Sequence, residues 1–249
     1  MQPSLTVVVP ALNEELNLEA TIKNIQETVP QYFSDWEILI FNDGSSDATG
    51  KIADRLSKQE SRIRVTHHES PKNLGGCYKS GIQKATKEYL IMIPGDNECG
   101  PEVMTKIFAL AGTAEMIVPF TANMQVRPLG RQLLSHLFVK LVNQISQQRL
   151  RYYNGAVLHR TELLKPLAIA TDGFGYQAEI LVKLLRRGHS YREVGTEITY
   201  RSLGKSKAIQ LTSLLKVGSF LCQLYLSSVP IPAPDFILRA FRPEGSQRS

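Results

Sequence analysis

Two carboxylates one residue apart, Asp96 and Glu98, stand in the segment PGDNE directly after the apolar run EYLIMI of residues 88–93. Oxygen ligands at that spacing on a strand end suit a hard divalent cation, Mg2+ or Mn2+, which can also hold phosphate oxygens. Three more polar clusters follow apolar runs in the same way. Pro10, Ala11, Asn13 and Glu14 come after LTVVV, Asp43 and Asp47 after EILIF, and Lys72 with Gly75 and Gly76 after IRVTH. Each has a plain structural reading by itself. Asn-Asp-Gly-Ser is a good turn sequence, Asp47 can cap a helix, Lys72 can be a solvated cation, and Gly75-Gly76 can open a helix. Their shared position is what points to a site, because loops at the carboxyl ends of parallel strands converge on one sheet edge, where ligands bind.

The elements needed to bring them together are legible. Residues 5–9 (LTVVV) form a continuous β-rich run, as strands buried on both faces do. Leu16, Leu18, Ile22, Ile25 and Val29 then recur at helical spacing, with Asn13 as a plausible cap and acids in the first turn. Strands are expected at 37–41, 63–67 and 88–93, and helices at 47–57 and 74–86. This β-α alternation implies right-handed crossovers and a mostly parallel sheet flanked by helices. The rhythm then loosens: a helix at 101–111, a strand at 115–119, an amphipathic helix at 133–145 (LLSHLFVKLVNQI), a short strand at 156–158, a helix at 176–187 and one or two short strands within 191–200. No linker or repeat divides the chain. The expectation is one α/β domain over residues 1–207, with a nucleotide- and metal-binding half (1–118) and an acceptor half (119–207). Residues 208–249 are expected to form a C-terminal apolar helix and tail. The run 211–229 is marginal for a membrane span, which needs about 20 predominantly apolar residues, and reads better as lying in a membrane interface or packed on the domain.

Composition sets the class. The 249 residues are 43% hydrophobic and 21% charged, enough for a sizeable core, which excludes disordered and disulfide-scaffold readings. Three scattered cysteines, Cys77, Cys99 and Cys222, fit a reducing compartment. The chain enters its first strand at Leu5 without a basic leader, so no signal peptide is expected. The net charge of +6 is unevenly spread. Residues 1–118 hold 11 Lys/Arg and 16 Asp/Glu, a balance of −5; residues 119–249 hold 18 and 7, a balance of +11. No acid occurs from Met116 through Thr161. The second half should face an anion such as a phosphate, a lipid headgroup or nucleic acid.

A phosphate-cradling P-loop and the G-x-G-x-x-G fingerprint are both absent, which disfavours ATPase and dehydrogenase readings. TVVVPALNEE, EILIFNDGSSDAT, KNLGGCYKSG and PGDNECGPE, in that order, resemble the family 2 inverting glycosyltransferases of the GT-A fold. GFGYQAEILVKLLRRGHSYREVGTEITYR followed by SLGKSK resembles the polyprenyl-phosphate (dolichyl-phosphate mannose synthase-like) branch. The resemblance implies transfer of a sugar from a nucleotide-diphosphate sugar, with a divalent metal as cofactor. It places Pro10, Ala11, Asn13 and Glu14 on the nucleotide, Asp43 on its base, and Asp47, Lys72 and Gly76 around it. Asp96 matches the second Asp of the metal-binding D-x-D, and Glu98 the ligand two residues on. Pro94 stands where the first Asp belongs, so one oxygen ligand is missing. Arg131 and Ser135 match the pair that binds the lipid phosphate, four residues apart and so on one helix face. Arg201, Lys205, Ser206 and Lys207 resemble the segment that closes over the diphosphates. The family's acid before its Ser-Gly is replaced by Arg151, Tyr152, Tyr153 and Asn154.

The acceptor decides the chemistry. A sugar hydroxyl needs a general base, whereas a lipid phosphate is already an anion and needs positioning among cations. The acid-poor second half favours the phosphate. In that reading Asp96 and Arg201 act at the leaving group, the acceptor is a polyprenyl phosphate, and the protein sits peripherally on the cytoplasmic face of the membrane. Glu179 or Asp172 would serve as base for a saccharide or other hydroxyl acceptor, the alternative activity. A third reading, a non-catalytic nucleotide- or nucleic-acid-binding protein, lacks the aromatic residues interleaved with cations that single strands stack on, beyond Tyr152-Tyr153. No nucleic-acid partner is therefore expected.

Overall fold

The computed structural model describes residues 3–173 and 175–197. Seven strands, β1 (Ser4–Ala11), β2 (Asp35–Asn42), β3 (Ile63–His67), β4 (Tyr89–Met92), β5 (Met116–Thr121), β6 (Leu158–Arg160) and β7 (Tyr191–Thr196), form one sheet in the order β3-β2-β1-β4-β6-β5-β7. β6 runs antiparallel to both its neighbours, and every other pairing is parallel. The sheet thus crosses from the first half of the chain into the second.

β1 is the central feature. Its successors β2 and β3 build outward on one side and β4 lies on the other, so the strand order reverses at β1. That reversal opens a crevice at the carboxyl ends of β1, β2 and β4. The continuous apolar reading of β1 is explained by burial on both faces. Val7 and Val9 pack with α1 (Leu18–Thr28) and α4 (Pro101–Phe108), through Ile22, Ile25, Met104 and Phe108. Val8 packs on the other side with Tyr78 of α3 (Asn73–Lys84) and Leu181 of α7 (Tyr176–Arg186). The remaining helices are α2 (Thr49–Gln59), α5 (Leu129–Ser146) and the single turn α6 (Thr161–Leu164).

Two expectations change. α1 begins at Leu18 with Asn17 before it, so Asn13 is not its cap; Asn13 has φ 55° and turns the chain out of β1 instead. α5 is seated differently from the amphipathic reading. Val142 and Ser146 are buried and Phe138, Val139 and Ile145 pack on the core, while Leu133, Leu134 and Leu137 point outward. The residues 198–249, with the expected C-terminal helix, lie outside the described residues. Among the described residues no helix is long and apolar enough to cross a membrane.

Candidate active site

The loops after β1 and β2 are stitched into one wall of the crevice. Asn13 donates its backbone N–H to Ser45 Oγ at 3.0 Å and accepts the Ser46 N–H on Oδ1 at 2.9 Å. The N–H of Glu14 meets Thr49 Oγ1 at 2.8 Å, and the N–H of Ala48 meets Glu15 Oε2 at 2.9 Å. Asp47 accepts the Thr49 N–H and hydroxyl on one oxygen and the Glu15 N–H on the other. Partial burial pushes its carboxyl up, but these donors win and hold it below the usual range. Asp47 therefore braces the two loops, and Glu14 accepts from Asn17 Nδ2 at 2.8 Å. Pro10 and Ala11 are buried at the strand end, where the N–H of Gly95 reaches Pro10 O at 2.9 Å and ties the β4 loop to the same wall.

Asp43, which the resemblance places on the nucleotide base, is held here by protein partners. It is 4% exposed, and its carboxylate accepts the backbone N–H groups of Lys72 and Asn73 at 2.8 and 2.9 Å and the Nδ1–H of His68 at 2.7 Å. The sulfur of Cys77 lies within 4.8 Å of both ligating atoms. Burial pushes the Cys77 thiol well up, and the Asp43 charge adds to it. A His, Cys and Asp trio can ligate a metal, but here the carboxylate already serves three N–H donors and works as an anchor for the start of α3. His68 was not singled out from the sequence. Its signal was faint: it follows the edge residue His67, so alternation turns one ring out and the other in.

That anchor sets Lys72 over the first turn of α3. A Cβ on Gly76 would come within 2.8 Å of the Lys72 Cβ, so only glycine lets this lysine lie there. Pro71, Lys72, Gly76, Lys79, Ser80 and Asp172 line a cavity of about 480 Å3. Asp172 reaches it because the 170–172 loop packs on α3, with the Gly75 N–H donating to Asp172 O at 2.8 Å. Its carboxylate pairs with Lys79 at 2.5 Å.

Asp96 and Glu98 occupy the turn after β4. Asn97 has φ 60°, and the Glu98 N–H donates to Asp96 Oδ1 at 3.1 Å. Asp96 is partly buried and Glu98 exposed. Two carboxylates on one open turn fit a hard cation that takes its remaining ligands from a diphosphate and water. Pro94 supplies no side-chain oxygen.

On the acceptor side, Glu179 is 5% exposed and wholly engaged. Oε1 accepts the Ala170 N–H at 3.0 Å, Oε2 accepts the Thr171 N–H at 2.9 Å, and Lys183 bridges Oε1 and Ala168 O. Burial pushes this carboxyl up, yet the hydrogen bonds prevail and hold it low. It is a clamp on the 168–172 loop. Ser135 lines a second cavity, of about 560 Å3, together with Lys140, Arg151, Tyr152, His136 and Phe120. Arg131 lies one turn earlier on α5, partly buried. Arg201, Lys205, Ser206 and Lys207 lie outside the described residues.

Comparisons with known proteins fit this geometry. Residues 6–164 match the family model "Glycosyl transferase family 2". The chain is 24% identical over 213 residues to the undecaprenyl-phosphate mannosyltransferase of Micrococcus luteus, covering 80% of this chain and 85% of that protein. It is 28% identical over 222 residues to the polyprenol monophosphomannose synthase of Mycolicibacterium smegmatis, covering 81% and 79%. The crystal structure of glucosyl-3-phosphoglycerate synthase from Mycobacterium tuberculosis in complex with UDP aligns with a TM-score of 0.67 at 20% identity, over 93% of this chain and 82% of that one. The same enzyme with Mn2+, UDP and phosphoglyceric acid aligns at 0.62 and 21% identity, over 93% and 80%. The strand order with its reversed β6 is accordingly that of the GT-A fold. With more than half of its length matched, the chain belongs to glycosyltransferase family 2 and is a glycosyltransferase.

Proposed function

We propose that the protein transfers a sugar from a nucleotide-diphosphate sugar, with inversion, to a polyprenyl phosphate at a membrane surface. The observation that carries the acceptor class is the fate of the acids in the second half. None occurs between Glu115 and Glu162, and Glu179, a candidate base, has both oxygens committed to backbone amides. A hydroxyl acceptor would need a base there, while a phosphate is already a nucleophile. The two relatives named for polyprenyl phosphates support the same acceptor.

In this reading the donor lies in the crevice formed by the loops after β1, β2 and β4, on Pro10, Ala11, Asn13 and Glu14. Asp43 and Asp47 hold those loops, and Lys72 with Gly76 faces the phosphates. A divalent cation on Asp96 and Glu98 would neutralise charge on the leaving diphosphate. An oxygen of the acceptor phosphate attacks the anomeric carbon from the face opposite the diphosphate. The new C–O bond forms as the old one breaks, and the nucleoside diphosphate leaves with the electron pair. Arg131 and Ser135, beside the α5 cavity with Lys140 and Arg151, would orient the acceptor. Arg201, Lys205, Ser206 and Lys207 are assigned to the diphosphates by their sequence resemblance. Replacing Asp96 by Ala should abolish transfer while leaving thermal stability unchanged; full activity in that variant would refute the assignment.

A second reading is favoured by one observation. Asp172 lines the Lys72 cavity with a carboxylate 57% exposed, so it is placed to serve as base for a hydroxyl acceptor there. Asp172→Asn separates the two, since it should abolish transfer to a hydroxyl and spare transfer to a phosphate.

A further inference from the structure

Asp43, His68 and Cys77 come from three different elements. Asp43 follows β2, His68 follows β3, and Cys77 lies one turn into α3. Among the described residues they are the one group of His, Cys and carboxylate side chains whose ligating atoms all lie within 4.8 Å of one another. All three are buried.

The anchoring of α3 rests on two backbone bonds, from the Lys72 N–H to Asp43 Oδ1 and from the Asn73 N–H to Oδ2. The His68 imidazole, 2.7 Å from Oδ1, and the Cys77 thiol are further groups on the same carboxylate. Each carries a hydrogen on an atom able to ligate a metal. The His68 ring can free Nδ1 by moving its proton to Nε2, and the thiol can lose its proton to water. An ion seated in place of those hydrogens leaves both amide bonds to Asp43 intact. It also turns a buried site with one negative charge into a neutral one, because two positive charges balance the carboxylate and the thiolate. Without a cation, burial and the Asp43 charge keep the thiol protonated.

The ligand set chooses the ion. Thiolate and imidazole suit Zn2+, whereas the open turn of Asp96 and Glu98 offers only the oxygens that Mg2+ or Mn2+ prefer. Zn–N and Zn–O bonds of about 2.0–2.1 Å set tetrahedral ligand atoms about 3.3 Å apart, so His68 Nδ1 and Asp43 Oδ1 must part by about 0.6 Å. His68 is the first residue past β3, and a small rotation of its side chain supplies that movement. The cavity lined by Lys72, Asn73 and Gly76 lies beside the site, since Asp43 holds the amides of two of these residues, and it gives an ion a way in.

We propose that Asp43, His68 and Cys77 form a Zn2+ site that ties the ends of β2 and β3 to α3, with water in the fourth position. The site is separate from the cation site of the transfer reaction and does not depend on the function proposed above.

The test uses the full chain, stripped of metal, in an Asp96→Ala background that removes the open-turn site. This protein should still take up one equivalent of Zn2+, and Zn2+ at 100 times its Kd should raise the melting temperature by about 5–11 °C. Cd2+ in place of Zn2+ should give the ultraviolet charge-transfer band of a thiolate–metal bond. Adding Cys77→Ala should abolish that band and weaken Zn2+ binding by at least about 100-fold, since loss of a group merely supporting a ligand costs about 10–100-fold. His68→Gln should weaken binding in the same way while its Cd2+ band persists at higher Cd2+. No Zn2+ uptake in the Asp96→Ala background would overturn the proposal. So would uptake without a Cd2+ band, or a band that survives Cys77→Ala and therefore belongs to another cysteine. The band and the thermal shift are read without either ligand variant, so a failure of Cys77→Ala to fold leaves the test decisive.

Discussion

Glu179→Ala separates a clamp from a general base. In the parent the carboxylate accepts the N–H groups of Ala170 and Thr171 from a 5% exposed position. Truncation leaves both donors without their partner. A hydrogen bond to a charged group contributes about 1.5–3 kcal/mol, so the pair accounts for about 3–6 kcal/mol. Lys183 is 33% exposed, and solvent screening keeps its share of the ion pair below about 1 kcal/mol. For a chain of this size that loss corresponds to a fall in melting temperature of about 6–24 °C. Glu179→Gln keeps one acceptor oxygen and should lose about half as much. Because the folded carboxyl sits below its ordinary value of 4.5, its contribution is complete above about pH 4.5 and disappears as the pH drops through the lower folded value. The stability gap between the parent and Glu179→Gln should be flat near neutrality and shrink in acid. In kinetics the loosened 168–172 loop should raise KM and leave kcat within about ten-fold, whereas loss of a base lowers kcat by about 10²–10⁴. Denaturation curves and steady-state kinetics on both variants decide the matter. A thousand-fold fall in kcat with unchanged stability and KM would refute the clamp.

Two further substitutions probe the same architecture. A Cβ at Gly75 would sit 2.4 Å from Thr171 O and 2.8 Å from the Asp172 backbone, so Gly75→Ala must push the loop off α3. It should cost about 1–3 kcal/mol and raise the donor KM, read by thermal melting and kinetics. Asp43→Asn removes the charge that gathers the Lys72, Asn73 and His68 donors. Calorimetric titration should show all nucleoside diphosphates weakened alike; a changed order of preference among bases would show that Asp43 contacts the base directly.

The strands at the sheet centre were legible because burial on both faces leaves a short, continuous, β-rich apolar run bounded by turn residues, as in LTVVV and EILIF. The polar residues after them were legible for the same reason, since a strand end fixes where the next loop begins. What could not be read was the partner of each polar group. Asp43 sits in a sequence made for turns, and its role as an anchor depends on amides 29 and 30 residues later. Glu179 opens a helix, as an acid paired with the helix dipole would, and only the approach of the 168–171 loop shows what it holds. In LLSHLFVKLVNQI apolar residues fall on two sides of the helix, so spacing alone cannot say which side packs. β6 is three residues long and antiparallel, placed by its neighbours rather than by any period of its own.

The most direct measurement gives the protein a radiolabelled nucleotide sugar and two acceptors of equal chain length, a polyprenyl phosphate and the corresponding polyprenol. Label should pass to the phosphate alone, in a product that loses its sugar in mild acid as a glycosyl phosphate does. Transfer to the polyprenol, or to a saccharide while the polyprenyl phosphate stays unlabelled, would contradict the account.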